Sequence, residues 1–207
     1  MASDSYDAAL FIDLDEYAVF HGRKASEIAE MMSSKTFSLS LCWSFFGSRI
    51  DSSIPPVDDS SLARRFTWRA KTCNKHVKPF VMLSSLRSYK QRLIPFFVNP
   101  HFVNAIAEDR RIAHVTSLTP AGEKMNGPYS SSPYDPAKFP YIAHYYAKTY
   151  EEFEKKISRG RADESPEGSK QYFKIRDEML KLREECDLNE VQDLELHDIA
   201  TCLNSII

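Results

Sequence analysis

The sequence predicts an α/β fold, with strands in its first two thirds and helices at its C-terminal end. The first observation behind this prediction is a set of short apolar runs, each ended by polar residues or glycine. The second is the helical spacing of Tyr172, Ile175, Met179 and Leu182. The chain of 207 residues, 43% hydrophobic and 27% charged, has the size and composition of one soluble globular domain, or of one domain with a small appendage.

The apolar runs and the capping signals place the individual elements. A capping box at Thr149 and Glu152 predicts a helix start, and Ser26 is a plausible N-cap for an earlier helix. Segments rich in Pro, Gly and Ser predict irregular structure at 49–61 and 121–140. The predicted strands are 8–13, 37–46, 77–83 and 141–146, and the predicted helices are 26–33, 62–71, 149–159 and 172–186, with a further one in 188–207.

The cysteines and the hydropathy pattern argue against a zinc site, a membrane span and a cleavable signal. The four cysteines have no CxxC spacing, so they are expected to be separate thiols rather than a zinc site. No segment approaches the roughly 18 apolar residues of a membrane span, and the polar first residues are not a cleavable signal. The chain as written is expected to be soluble.

Charge is distributed unevenly although the net charge is only −2. From Ser60 to Arg92 there are nine basic residues and no acidic ones. Such a run is compatible with nucleic acid, with an anionic small ligand or with a solvated face. We expect no nucleic-acid partner, because the run contains no familiar recognition motif and the net charge is negative.

The most informative short pattern is Asp13-Leu14-Asp15-Glu16, which directly follows an apolar run. Alternation along a strand would put Asp13 and Asp15 on one face, where two carboxylates repel unless a cation lies between them. A hard divalent ion suits such a pair. The alternative is that one carboxylate caps a turn and the other pairs with an arginine.

Two enzyme classes use an Asp-x-Asp pair of this kind. In haloacid-dehalogenase phosphatases the first Asp is the nucleophile, but Glu16 and Tyr17 do not match the usual continuation, and Asp58 and Asp59 precede the plausible lysines. In nucleotide-sugar glycosyltransferases the pair holds Mn²⁺ or Mg²⁺ against the donor diphosphate, which offsets the charge that grows on the leaving group. The second class fits the order of the motifs better.

A second motif separates the two classes further. It begins with His144-Tyr145-Tyr146, continues through Lys148-Thr149-Tyr150-Glu151-Glu152-Phe153, and ends with Arg159-Gly160-Arg161-Ala162-Asp163. This stretch closely resembles the signature of glycosyltransferase family 92 and its family-2-like bacterial relatives. The first motif, the Trp43, Phe46 and Gly47-Ser48 element, and the stretch from Arg64 to Phe66 with Lys78 resemble further elements of these families, in the same order over residues 8–163.

The resemblance implies a GT-A type fold with a Rossmann-like mixed sheet, a nucleotide-sugar donor and a bound Mn²⁺ or Mg²⁺. It implies Asp15 as a direct metal ligand, Asp13 as a ligand of the metal or of the donor ribose, and His144 as an imidazole ligand. It also makes Lys148, Arg159 and Arg161 candidates for binding the diphosphate. The alternative for these basic residues is a favourable interaction with a helix C-terminus.

The acceptor side is less well defined by the sequence. Trp43 and Phe46 are candidates for stacking on an acceptor glycan, and core packing is an equal alternative. His101 matches a position where the family often has His, or is a simple turn residue. The catalytic base is not evident, and Asp51, Asp58 and Asp59 are weak candidates.

Only twelve residues precede Asp13, whereas a GT-A domain normally has roughly a hundred there. We therefore expect residues 1–165 to be the metal and acceptor half of such a domain, followed by a helical extension at 166–207. A missing N-terminal half or a partner chain would complete it, and the isolated chain is expected to bind a nucleotide sugar weakly or not at all. Relatives are often Golgi-anchored through the part that is absent here. The alternatives are an inactive binding or scaffold module and, less favoured, a polyanion-binding domain.

Overall fold

The computed structural model describes residues 6–32, 36–50, 61–88, 93–99, 101–107, 109–113, 116–125, 127–158 and 170–204. The chain divides into two compact units. The first unit contains Met1–Ser44 and Thr72–Ala143, and the second contains Phe45–Lys71 and His144–Ile207. Each unit is therefore built from segments that are distant in the sequence.

A mixed seven-stranded sheet, mainly in the first unit, confirms the predicted α/β class. Its main path runs in the order β1 (Ala8–Leu10), β5 (Val77–Met82), β3 (Ser38–Phe45), β11 (Tyr141–His144) and β2 (Glu16–Val19). Two short strands extend it, because β9 (Ser117–Leu118) pairs parallel with β3, and β10 (Lys124–Met125) pairs antiparallel with β9. β5 pairs antiparallel with both β1 and β3.

The central strands are buried because their side chains are covered on both faces of the sheet. Leu39, Leu41, Phe80 and Ile142 form one core cluster with Ile28 of the short helix α1 (Ala25–Glu30). A second core cluster contains Val81 together with residues of α3 (Leu83–Ser88) and of a small antiparallel sheet. That sheet consists of β6 (Ile94–Asn99), β7 (Phe102–Ile106) and β8 (Ile112–Ala113).

The second unit is mostly helical. It contains α2 (Leu62–Arg65), α4 (Tyr150–Ser158), α5 (Lys170–Cys186), α6 (Glu195–Asn204) and the two-stranded ladder of β4 (Trp68–Arg69) and β12 (Val191–Gln192). The predicted capping box is present, because Thr149 Oγ1 accepts from the Glu152 amide at 3.2 Å and Glu152 accepts from the Thr149 amide at 3.2 Å. Arg65 also donates to Glu152 at 2.6 Å and so fixes the carboxylate of this box.

Several local predictions were wrong. The run 8–13 is not a buried strand, because β1 is an edge strand of three half-buried residues and Phe11, Ile12 and Leu14 are exposed. The predicted helix 62–71 ends at Arg65, because β4 pairs with β12, which lies far along the chain. The N-cap of α1 is Lys24 rather than Ser26. The small sheet of β6 to β8 was not predicted.

Among the described residues, no helix is both long enough and apolar enough to cross a membrane. Cys42, Cys73 and Cys186 are buried thiols and Cys202 is an exposed thiol, and none of the four is in a disulfide, in agreement with the separate thiols that the scattered spacing predicted.

Candidate functional site

The Asp-x-Asp motif lies in a turn between β1 and β2 rather than on a strand. The Glu16 amide donates to the Asp13 carbonyl at 3.1 Å, and the Asp13 amide donates to the Glu16 carboxylate at 2.9 Å. Strand alternation therefore does not apply to Asp13 and Asp15, and that part of the prediction is corrected. The reciprocal bonds between Asp13 and Glu16 hold the turn in one conformation.

The ammonium group of Lys78 lies beneath this turn. Its Nζ is 3.0 Å from Asp13 Oδ2 and 3.2 Å from Glu16 Oε2, and it lies 5.7 Å from the centroid of the Trp43 ring. The Lys78 side chain is 1% exposed and that of Glu16 is 0% exposed, whereas Asp13 is 64% exposed. A buried ammonium thus has one buried and one solvent-facing carboxylate as counter-ions, the arrangement that a buried charge needs.

Glu16 is the most unusual acid of this group. Burial raises its pKa, and the hydrogen bond from the Asp13 amide and the charge of Lys78 act against that rise. Its second oxygen, Oε1, is buried and has no hydrogen-bond partner within the described part of the chain. Such an atom carries the cost of an unsatisfied buried acceptor.

Two histidines and a tryptophan adjoin the lysine. The His76 ring stacks on Trp43 at 4.9 Å, and the His101 ring meets Trp43 edge-on at 5.0 Å. The two imidazole centroids are 5.9 Å apart. The exposed Tyr129 ring lies 4.8 Å from His76 on its other side. His101 belongs to the turn between β6 and β7, so the unpredicted small sheet delivers it.

The hydrogen-bond partners determine the tautomers of these histidines. His101 Nδ1 lies 2.8 Å from the Val77 carbonyl, and His76 Nδ1 lies 2.6 Å from Asn74 Oδ1. Both oxygens can only accept, so each Nδ1 carries the proton and each neutral ring keeps a lone pair on Nε2.

Burial lowers the pKa of both imidazoles. For His76, the nearby His101 and Lys75 lower the pKa further. For His101, Lys78 also lowers the pKa, while the Val77 hydrogen bond and Asp13 oppose the change. Because the charges of Asp13 and Lys78 both act on the pKa of His101, this ring lies close to the Asp-x-Asp turn. Both rings are therefore neutral bases near pH 7.

The carboxylates of the turn decide whether a divalent cation fits this site. No group of three or more His, Cys, Asp or Glu side chains that could hold a metal ion occurs among the residues that are described. Asp13 is exposed and Asp15 is half-buried on the same turn, which gives two carboxylate donors. Mg²⁺ is commonly held by one or two carboxylates with substrate phosphates and water completing the octahedron. The residues present fit that mode and do not fit a cage made of protein groups alone.

The second motif, which begins at His144, lies in the second unit. His144 is 6% exposed, and its ring packs against Phe45 at 5.5 Å and Tyr146 at 5.6 Å. Lys148 has φ 49°, a left-handed backbone conformation. Arg183 of α5 donates to the Ala147 carbonyl and to the Lys148 carbonyl, each at 3.0 Å. Their roles in binding a metal or a diphosphate stay predictions, and Arg183 is a stabilising residue that sequence reasoning missed.

The Phe46-Gly47-Ser48 element is covered by the C-terminal segment of the same unit. Ser48 donates to Asp187 from both its amide and its hydroxyl, each at 2.6 Å. Arg69 donates to Asp193 at 2.6 Å. Phe46 is 1% exposed and packs on Tyr145 at 4.7 Å. This burial favours the core-packing alternative for Phe46, while half-buried Trp43 keeps its place in the candidate site.

The basic run from 60 to 92 is partly neutralised by acids that follow or precede it in the sequence. Arg65 pairs with Glu152, Arg69 with Asp193, and Lys78 with Asp13 and Glu16. Arg69 and Lys78 are also buried. These partners account for part of the acid-free run without any bound polyanion.

Other predicted residues lie outside the described residues, namely Asp51, Asp58, Asp59, Arg159 and Arg161. A separate open groove of about 570 Å³ lies beside β1 in the first unit. Its lining is apolar and includes Leu10, Phe11 and Phe97, with no charged side chain and no residue of the Asp-x-Asp turn. The groove therefore offers no chemistry to the candidate site.

No family model matches the chain, and the comparisons with curated proteins and with solved structures also found no match.

Proposed function

We propose that this chain takes part in the metal-dependent transfer of a sugar from a nucleotide-sugar donor to a hydroxyl group of a glycan or similar acceptor. The proposal rests on the resemblance to glycosyltransferase family 92 and on one geometric observation. The first unit brings together Asp13, Trp43, Lys78 and His101, which come from separate parts of the sequence that resemble elements of the family. A GT-A type sheet with the metal edge at Asp13 and Asp15 is part of the proposal.

The chemistry assigned to the cluster follows from its charges. Asp13 and Asp15, with the donor diphosphate, would hold a divalent cation, which would supply positive charge where the leaving group becomes more negative. Asp13 offers the cation a solvent-facing carboxylate, and the turn bonds to Glu16 hold that carboxylate in place. Trp43 supplies an aromatic wall beside the site.

His101 is assigned as the acceptor's base. Its Nε2 lone pair accepts the hydroxyl proton while the acceptor oxygen forms its bond to the anomeric carbon and the bond from that carbon to the donor phosphate oxygen breaks. The nucleotide diphosphate leaves with the bonding electron pair. The Val77 carbonyl holds Nδ1 and keeps Nε2 free of a proton before the reaction. This assignment needs none of Asp51, Asp58 and Asp59.

The test combines metal binding with turnover. Free Mn²⁺ is measured by electron paramagnetic resonance in the presence of UDP and against a protein-free blank. Release of nucleotide diphosphate is measured for a panel of UDP- and GDP-hexoses with mixed glycan acceptors, at donor concentrations high enough to offset the weak binding expected of the isolated chain. Asp13→Asn and Asp15→Asn are expected to abolish both signals. Asp109→Asn is the matched control, because Asp109 is an exposed acid paired with Arg111 in the same unit.

His101→Gln should lower turnover at least tenfold and leave Mn²⁺ binding unchanged, with His76→Gln as its control. Mn²⁺ binding that survives the loss of both Asp13 and Asp15 would refute the proposal. Mn²⁺ and nucleotide-sugar binding without turnover for any donor would instead support the inactive binding module.

A further inference from the structure

Asp13 and Glu16 of the Asp-x-Asp turn both pair with the buried Lys78, but the two carboxylates differ in their exposure to solvent. Lys78 Nζ is within 3.2 Å of both Glu16 and Asp13. Glu16 is wholly buried, so its carboxylate cannot turn to solvent, whereas the Asp13 side chain is mostly exposed. Of the two counter-ions, only Asp13 is able to exchange Lys78 for a cation that arrives from solution.

A cation at Asp13 has to compete with the ammonium group. Two positive charges a few ångströms apart repel, and the repulsion from a divalent ion is twice that from a monovalent one. The ammonium must therefore move away from Asp13 when a divalent ion binds there. It cannot leave the protein, because Lys78 is 1% exposed and a buried charge without a counter-ion is costly.

Glu16 offers the displaced ammonium group a second acceptor oxygen. Glu16 Oε1 is buried and has no hydrogen-bond partner within the described residues. It belongs to the carboxylate that already contacts Lys78 through Oε2. The Trp43 ring lies 5.7 Å from Nζ and adds a favourable surface for a cation. A small movement of the ammonium from Asp13 to both oxygens of Glu16 thus satisfies the orphaned acceptor and releases Asp13.

We propose that Lys78 and Glu16 form a counter-ion exchange device that controls whether Asp13 is available to a divalent cation, with Glu16 as a positioning residue that never touches the metal. Without the cation, Lys78 bridges Asp13 and Glu16. With the cation, Lys78 pairs with Glu16 alone. This inference rests on the proposed function, since it takes Asp13 as a metal ligand.

The device predicts a distinctive pattern of Mn²⁺ affinities. Glu16→Gln keeps an oxygen that can accept from the Asp13 amide, so the turn is retained, but it removes the charge to which Lys78 retreats. Mn²⁺ affinity should therefore fall about tenfold, the equivalent of about 1.4 kcal/mol. Lys78→Met removes the competing cation, and the affinity should rise by a similar factor. In the double variant Glu16→Gln/Lys78→Met the affinity should return to the wild-type value or exceed it.

The experiment is a Mn²⁺ titration of the full chain and its variants by electron paramagnetic resonance, run with excess UDP as the source of the diphosphate ligands and against a protein-free blank. Urea unfolding establishes that each variant is folded. Glu123→Gln is the matched control, because Glu123 is a hydrogen-bonded carboxylate of the same unit away from Lys78, and its affinity should equal the wild-type value. The double variant carries no buried charge at these positions, so it stays informative if a single variant does not fold.

The outcomes separate this inference from the proposed function. Wild-type binding that Glu16→Gln leaves unchanged overturns the device and leaves the proposed function standing. Lower affinity in both Lys78→Met and the double variant also overturns the device, because it shows that Lys78 supports the metal site instead of competing with it. If neither the wild type nor Lys78→Met binds Mn²⁺, the metal-dependent function fails and the device fails with it. Binding gained only in Lys78→Met supports the competition directly.

Discussion

Gly47 gives the sharpest stability prediction, because a single added methyl group meets a well-connected side chain. A Cβ atom at this position would lie 2.5 Å from Cγ and 2.6 Å from Nδ2 of Asn189, and closer still to Oδ1. These distances are below any normal contact, so Asn189 has to move. Gly47 does not have a positive φ, so Gly47→Ala adds no backbone strain of its own.

The magnitude follows from what Asn189 holds. Its Oδ1 accepts from the Arg49 amide at 3.0 Å, and its Nδ2 donates to Asp187 Oδ1 at 2.9 Å and to the Asp187 carbonyl at 3.2 Å. A typical hydrogen bond contributes a net 0.5–1.5 kcal/mol, so losing the three destabilises the fold by roughly 2–4 kcal/mol. Asp187 also accepts a hydrogen bond from the Ser48 hydroxyl, so a shift of Asp187 brings the loss of stability toward the upper end of that range.

The assay is urea unfolding followed by circular dichroism, applied as a double-mutant cycle. Asn189→Ala loses the same bonds but removes the obstacle, so Gly47→Ala/Asn189→Ala should be no less stable than Asn189→Ala alone. Gly127→Ala is the control and should be neutral, because no atom lies within 4 Å of its added Cβ. Strictly additive losses from Gly47→Ala and Asn189→Ala, or a Gly47→Ala variant as stable as wild type, would refute the reasoning.

Two further predictions concern the first unit. Stability should fall as the pH drops below the unfolded histidine pKa of about 6.5, because burial lowers the folded-state pKa of His76 and His101 and the unfolded chain then binds more protons. His76→Gln/His101→Gln should flatten this fall in urea titrations between pH 7 and pH 5, and an unchanged slope would contradict the shifts. Tyr134→Phe should cost about 1–3 kcal/mol in urea unfolding, because the Tyr134 hydroxyl accepts from the buried Cys42 amide at 3.0 Å. A loss below about 0.5 kcal/mol would show that water replaces the hydroxyl.

Much of the secondary structure was predictable because local patterns specify it. The strands at 37–46, 77–83 and 141–146 are present as β3, β5 and β11 with small changes at their ends. The capping box at Thr149 starts α4 one residue later. In these segments apolar content and end signals agree with the tertiary environment, so neighbours in the sequence carry enough information.

The candidate site was only partly predictable. Asp13 and Asp15 could be selected from residue type and spacing, and Trp43, Lys78 and His101 could be named from the resemblance. Their assembly could not be predicted, because Lys78 reaches Asp13 across 65 positions of sequence. One Glu16 oxygen has no partner among the described residues, and the tautomers of His76 and His101 depend on which groups lie opposite their rings. No spacing rule encodes either feature.

By itself the sequence determined the α/β class, the separate thiols and the helix start at Thr149, and it located the acidic motif but not its turn. The tertiary structure alone decided that β1 is an edge strand, that Trp68 and Arg69 pair with Val191 and Gln192 instead of continuing a helix, and that a buried lysine neutralises the turn. The physical reason is the same in each case. Strand pairing and burial of a charge are interactions between residues distant in the chain, and they outweigh local propensities of a few tenths of a kcal/mol per residue.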